Sequence, residues 1–379
     1  MNRRSGLRCG ARWLALLLAA TAAGRADSGV RTLRLIGVAS LPAGTRCDGE
    51  RVGGLSGLDY DAAHDQWLAV SDDKGEFGPA RCFVIRLAYD AAAVGAVAVT
   101  GVIRLQPAGG DPNGGAPVPG GRVQGEVPDL ESIRIDPRDG SLWVATEGEA
   151  KWGHPPIVRQ LERDGRHRRD LPLPSVLAHD PSRRTGPRPN LSFEGLAFCP
   201  AGDAVWLALE APLWQDGDVA GAGKGAVVRL TCLERDGRMG RQVAYRLEPR
   251  PLVPAPRRLA DNGVAEVLAV SDRELLVLER GGAQQADGTW RFAARLFLAS
   301  VASASEVGGM AALPAASFTP ASKRLLLELG TAAGERVDNL EGLAWGRVLA
   351  NGRRSLVLVS DDNFSVSQQT QFWVFEVQP

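Results

Sequence analysis

Carboxylates recur at two fixed points of this sequence. Glu131, Glu194, Glu266 and Glu341 each begin a short apolar run, and Asp72, Glu147, Glu210, Glu279 and Asp361 each close a later one. Brought together, such groups repel and raise one another's pKa unless a cation sits among them. Calcium accepts about 6–8 oxygen ligands in loose geometry, so these nine acids are the candidate calcium ligands. Glu147 and Glu210 are also the candidates for catalysis. Cationic groups follow the second acids: Lys74, Lys151 with His154, Lys224 and Arg280. They are candidates to clamp the oxygens of a phosphate ester while the ion polarises it. The competing reading is structural. A repeated acid can also accept backbone N–H bonds or pair with Arg81, Arg86, Arg159, Arg229 or Arg295, and loop cations are commonly just solvated.

The acids ride on an internal repeat. Leu55-Ser-Gly-Leu-Asp with Trp67-Leu-Ala-Val-Ser-Asp72 is the first copy. Leu130-Glu-Ser-Ile-Arg with Trp143-Val-Ala-Thr-Glu147 and Phe193-Glu-Gly-Leu-Ala with Trp206-Leu-Ala-Leu-Glu210 follow. Ala265-Glu-Val-Leu-Ala with Leu275-Leu-Val-Leu-Glu279, and Leu340-Glu-Gly-Leu-Ala with Leu356-Val-Leu-Val-Ser-Asp361, complete the set. Leu58, Ile133, Leu196, Leu268 and Leu343 mark a period of 75, 63, 72 and 75 residues. Each copy continues into a third and a fourth β-like run, except that the last ends at Pro379 with three. Arg31–Ala39 is the spare strand. It predicts the closure of an all-β propeller of five four-stranded blades, which removes the open edge. Six blades is the alternative. Adjacent strands run in opposite directions, so first-strand starts and second-strand ends share one face, and the acids should ring one mouth of the central channel.

Composition narrows the partners. Lysine plus arginine equals aspartate plus glutamate at 44 each, which lacks the basic footprint of a nucleic-acid binder. Residues 1–26 hold five arginines and no acid around an apolar stretch of only 11 residues, Trp13 to Ala23. A span needs about 20, so this reads as a cleaved signal peptide, general or twin-arginine, and the chain is expected in the periplasm or secreted. Residues 27–379 then form one domain with a net charge of −5 and no membrane span, taken as a monomer acting on a small molecule. Export makes disulfides chemically accessible; Cys47–Cys82 is the preferred pair, against four free thiols. Gly221-Ala-Gly-Lys-Gly225 lacks the spacing of a phosphate loop, and the four histidines lack zinc spacing.

The segments 55–73, 129–149, 192–213 and 339–364 resemble the secreted phytase-like family, described by the esterase-like activity of phytase. The most specific parts are Ser192-Phe-Glu-Gly-Leu-Ala with Ala208-Leu-Glu-Ala-Pro-Leu213, and Asp338-Asn-Leu-Glu-Gly-Leu-Ala with Val359-Ser-Asp-Asp-Asn363. The resemblance implies phosphate-ester or carboxylic-ester hydrolysis on a propeller, and relatedness to calcium-dependent alkaline phytases. Beside a calcium-dependent ester hydrolase stand two other readings: a non-catalytic envelope-binding propeller, and a lactonase-type hydrolase.

Overall fold

The computed structural model describes residues 29–109, 116–118, 122–124, 129–313, 317–331 and 336–379. The expected signal peptide and most of the Gly/Pro-rich loop 107–128 lie outside them. Strand β1 (Thr32–Ser40) leads into a small hairpin, β2 (Arg46–Cys47) and β3 (Glu50–Arg51). Blade one is β4 (Leu55–Asp61), β5 (Gln66–Ser71), β6 (Arg81–Tyr89) and β7 (Val94–Arg104). A second hairpin, β8 (Ala116–Val118) and β9 (Arg122–Gln124), precedes blade two: β10 (Leu130–Ile135), β11 (Leu142–Thr146), β12 (Ile157–Leu161) and β13 (His167–Asp170). Blade three is β14 (Phe193–Phe198), β15 (Ala204–Leu209), β16 (Ala226–Glu234) and β17 (Met239–Leu247). Blade four is β18 (Ala260–Ser271), β19 (Glu274–Gln284), β20 (Trp290–Ser300) and β21 (Ser322–Leu329). In blade five, β22 (Asn339–Val348), β23 (Arg354–Asp361) and β24 (Gln371–Gln378) are completed by β1, which pairs antiparallel with β24. The count is therefore five, closed by the N-terminal strand as the repeat predicts. No helix of the described residues is long and apolar enough to cross a membrane.

The first strands β4, β10, β14, β18 and β22 pack against one another in a closed ring. The repeat explains how. Each pairs with its second strand across a register shift at the same place, and the residue passed over is Ser56, Glu131, Glu194, Ala265 or Glu341. A bulge re-aims a side chain, and here it turns Glu131, Glu194 and Glu341 to the channel mouth. The next residue faces the axis, where space is scarce. A Cβ on Gly57 would lie 2.7 Å from Ser132 Cα, one on Gly195 2.7 Å from Val267 N, and one on Gly342 2.8 Å from Ser56 O. The glycine of the repeated Glu-Gly-Leu is thus required by the approach of neighbouring blades.

The axis is filled by a buried ion pair. Arg134 and Glu266 meet at 2.8 Å. Arg134 donates to the carbonyls of Leu58, Ile133, Val267 and Leu343 at 2.7–3.1 Å. Glu266 accepts from Ser132 Oγ and from the backbone N–H of Leu196 and Val267. All five blades are tied through one guanidinium and one carboxylate. The four cysteines of the described residues are free thiols, and the Cys47–Cys82 bridge is not formed. Cys82 is buried in the core between blades one and two, whereas Cys47 packs against the core between blades one and five.

Candidate functional site

Above the plug lies a cavity of about 630 Å³ whose wall carries nine carboxylates. Bulge residues supply Glu131, Glu194 and Glu341, and second-strand ends supply Asp72, Glu147, Glu210 and Asp361. Seven of the nine sequence-predicted acids are therefore brought together. Glu266 and Glu279 are not, and the reason is register. Blade four passes over Ala265 where other blades pass over an acid, so Glu266 falls on the axial position of Gly57, Ser132, Gly195 and Gly342. Likewise Val264 pairs with Glu279, as Leu130 pairs with Thr146 and Leu340 with Ser360. Arg280, not Glu279, thus takes the place of Glu147 and Asp361. A slip of one residue moves a strand side chain to the opposite face. Glu279 instead accepts from Tyr245 Oη and Lys323 Nζ, both at 2.7 Å, between blades three and four.

Two groups of three carboxylates have ligand oxygens all within 4.8 Å of one another: Asp129, Glu131 and Glu147, and Glu147, Glu194 and Glu210. Glu147 belongs to both. Burial is the main cause that pushes these groups up, and neighbouring charges add to it. Glu131, Glu147 and Glu194 are held well above the usual carboxylate range, as are Asp72 and Asp361. Asp129 is pushed up to about 6 against the pull of Lys74, and Glu210 to about 7 against the pull of Arg280. The geometry is one that stores repulsion in the absence of a cation.

Two cations border the ring. Lys74 Nζ lies 3.0 Å from Asp129 Oδ2 and donates to Asn190 Oδ1. Burial disfavours its charge, but Asp129, Glu147 and Glu131 more than offset that and raise its pKa. Arg280 lies 2.8 Å from Glu341, 3.2 Å from Asp261 and 3.6 Å from Glu210. Lys151, His154 and Lys224 do not line this cavity. Lys151 stacks over Trp152, and His154 bridges the backbone of Glu149. Lys224 pairs with Asp218 in an exposed loop beside a different cavity.

Sequence reasoning missed Asp129, Asn190, Asp261, Asn339 and Asn363, all in the wall. One signal was present. Asp129 and Asn339 stand two residues before a bulge acid, where Ser192 stands in blade three. A second signal needs the backbone. Asp129, Asn190 and Asn363 all adopt positive φ (36°, 54° and 46°), and such residues cluster at functional sites. Asn339 donates to Glu341 and Asp361, yet its Oδ1 is buried with no hydrogen-bond partner among the described residues. Carboxylate oxygens plus an orphaned amide oxygen are hard donors, the set a calcium-like cation takes.

A family model described as Phytase-like, esterase-like activity of phytase, matches residues 50–364. No curated protein matches the chain. Among solved structures, it is similar to the β-propeller domain of Cps50 (Swd1) from Myceliophteria thermophila, at 13% identity over 85% of this chain and 97% of that one, with a TM-score of 0.33. A putative glucose dehydrogenase from Thermus thermophilus is 10% identical over 90% and 99%, with a TM-score of 0.36. A DUF4221 family member from Bacteroides vulgatus is 8% identical over 92% and 99%, with a TM-score of 0.37.

Proposed function

Because the chain belongs to the phytase-like family, we propose that it is an ester hydrolase acting at the acidic mouth, on phosphate esters, with calcium as its cofactor. The observation that carries this reading is Glu147, shared by two three-carboxylate groups, with Lys74 and Arg280 on the same wall. Asp129, Glu131, Glu147, Glu194 and Glu210 would hold the cation, with Asp72, Glu341, Asp361 and the Asn339 amide oxygen completing the wall. A hard cation there supplies Lewis-acid stabilisation of charge developing on a phosphoryl oxygen.

The chain's own groups do the rest. Lys74 and Arg280 bind the non-bridging oxygens and orient the ester. Glu210, which closes a second strand and lies 3.6 Å from Arg280, is the carboxylate proposed to orient the attacking water and take its proton. Filling of the axis by Arg134 and Glu266 leaves substrate to enter from the mouth. The five arginines and short apolar stretch of residues 1–26 support action outside the cytoplasm after cleavage. Assays of phytate, aryl phosphates and aryl acetates, with calcium and with chelator, test the proposal. Calcium-dependent phosphate-ester turnover is expected. No turnover of any ester with calcium present would overturn it.

A further inference from the structure

Blade four is built differently at the mouth. In blades one, two and three, first and second strands part at Leu55–Ser71, Leu130–Thr146 and Phe193–Leu209. In blade four pairing continues past Val264–Glu279 through Gly263–Arg280, Asn262–Gly281, Asp261–Gly282 and Ala260–Ala283. Four added pairs carry this blade about 13 Å further at roughly 3.3 Å per residue. Strand β20 follows it, with Phe292 opposite Gly282 and Trp290 opposite Gln284.

Directly paired residues, and those two apart, share a sheet face. Arg280, Gly282, Phe292 and Trp290 therefore stand on one face, and that face borders the acidic cavity. Bare positions shape it. A Cβ on Gly282 would lie 3.0 and 3.1 Å from Trp290 Cε3 and Cζ3, so the indole lies against that glycine's Cα. Trp290 and Phe292 are near-parallel, 12° apart with centroids 6.0 Å from each other. Phe292 is buried and Trp290 half-buried. They are the aromatic residues of a wall that is otherwise almost wholly polar.

We propose that Trp290, backed by Phe292, is a specificity-determining shelf that receives a flat aromatic group of the substrate while Arg280 holds its anionic end. The preferred substrates are then aryl esters rather than fully phosphorylated polyols. A polyol with a phosphate on every carbon would set charge against two rings. An aryl ester sets its oxygens on Arg280 and its ring on the indole, where aromatic contacts are favourable beyond the area they bury. This inference rests on the ester-hydrolase reading, and the experiment separates the two.

Titration calorimetry of the full chain with phenylphosphonate and methylphosphonate, neither of which can be hydrolysed as an ester, reads binding without turnover. The wild type should favour phenylphosphonate by about tenfold. Trp290→Ala should bring that ratio close to one. Trp290→Leu, which keeps an apolar cover on Gly282 should the alanine variant fail to fold, should do the same. Equal binding of both phosphonates by the wild type, or a ratio unmoved by either substitution, would overturn the shelf and leave the hydrolase reading standing. If the wild type binds neither phosphonate, phosphate-ester recognition falls and the shelf falls with it.

Discussion

Replacing Arg134 by methionine should destabilise the propeller severely while altering no residue of the acidic wall. The guanidinium is the hub of the axis: it donates to Leu58, Ile133, Val267 and Leu343 and pairs with Glu266 at 2.8 Å. Methionine fills much of the volume but leaves four buried carbonyls and one carboxylate without that donor. Removing one partner of a buried pair costs about 3–5 kcal/mol. A domain has only about 5–15 kcal/mol in all. At a urea slope of about 3 kcal/mol/M, the midpoint should fall by more than about 1 M. Glu266→Gln keeps one acceptor oxygen for the N–H groups of Leu196 and Val267 and turns an amide NH2 toward Ser132 Oγ, so the double variant should cost less than the sum of the two singles, by about 0.5–3 kcal/mol. A loss below about 1 kcal/mol for Arg134→Met, typical of an ordinary position, would refute the view that this pair ties the blades together.

Other outcomes follow from the site. Asp129 and Glu210 titrate at about 6 and 7 in the fold, above their usual values, mainly because they are buried. Between roughly pH 4 and 7 the folded calcium-free chain therefore holds protons that the unfolded chain has released, and stability falls as pH rises through that window. Thermal midpoints in chelator should drop across it, and saturating calcium should flatten the drop. Gly263→Ala places a Cβ 2.2 Å from Glu210 Cγ, so it should displace that carboxylate and weaken ester turnover with little change in the circular dichroism of the sheets. Arg280→Gln removes the partner of Glu341 and Asp261 and should raise KM for phosphate esters about tenfold or more, read in steady-state assays.

Much of this architecture was legible because a propeller repeats its physics. Alternating apolar runs, turn residues and the spare Arg31–Ala39 segment define blades and closure, and β1 occupies Thr32–Ser40. The acidic mouth was legible in blades one, two, three and five because the acid that closes each second strand keeps its place, and in the last three of these an acid also sits at the bulge. Blade four hid its register. Its sequence carries Glu266 and Glu279, and matching acid to acid shifts both strands by one residue. Packing decides otherwise: Glu266 fills the axial space left by Gly57, Gly195 and Gly342, and Arg280 closes the ring. Loop contributors such as Asn190 and Asn363 were invisible for another reason. They reach the site by left-handed backbone turns, which leave no periodic trace.

The most direct test is calcium titration by calorimetry of the chelator-treated chain beside its Glu147→Gln variant. Glu147 joins both carboxylate groups. Saturable binding by the wild type, lost or weakened at least tenfold in the variant, is the expected result. Absence of calcium binding by the wild type, or equal binding by the two, would contradict the account of the acidic mouth as a cation site.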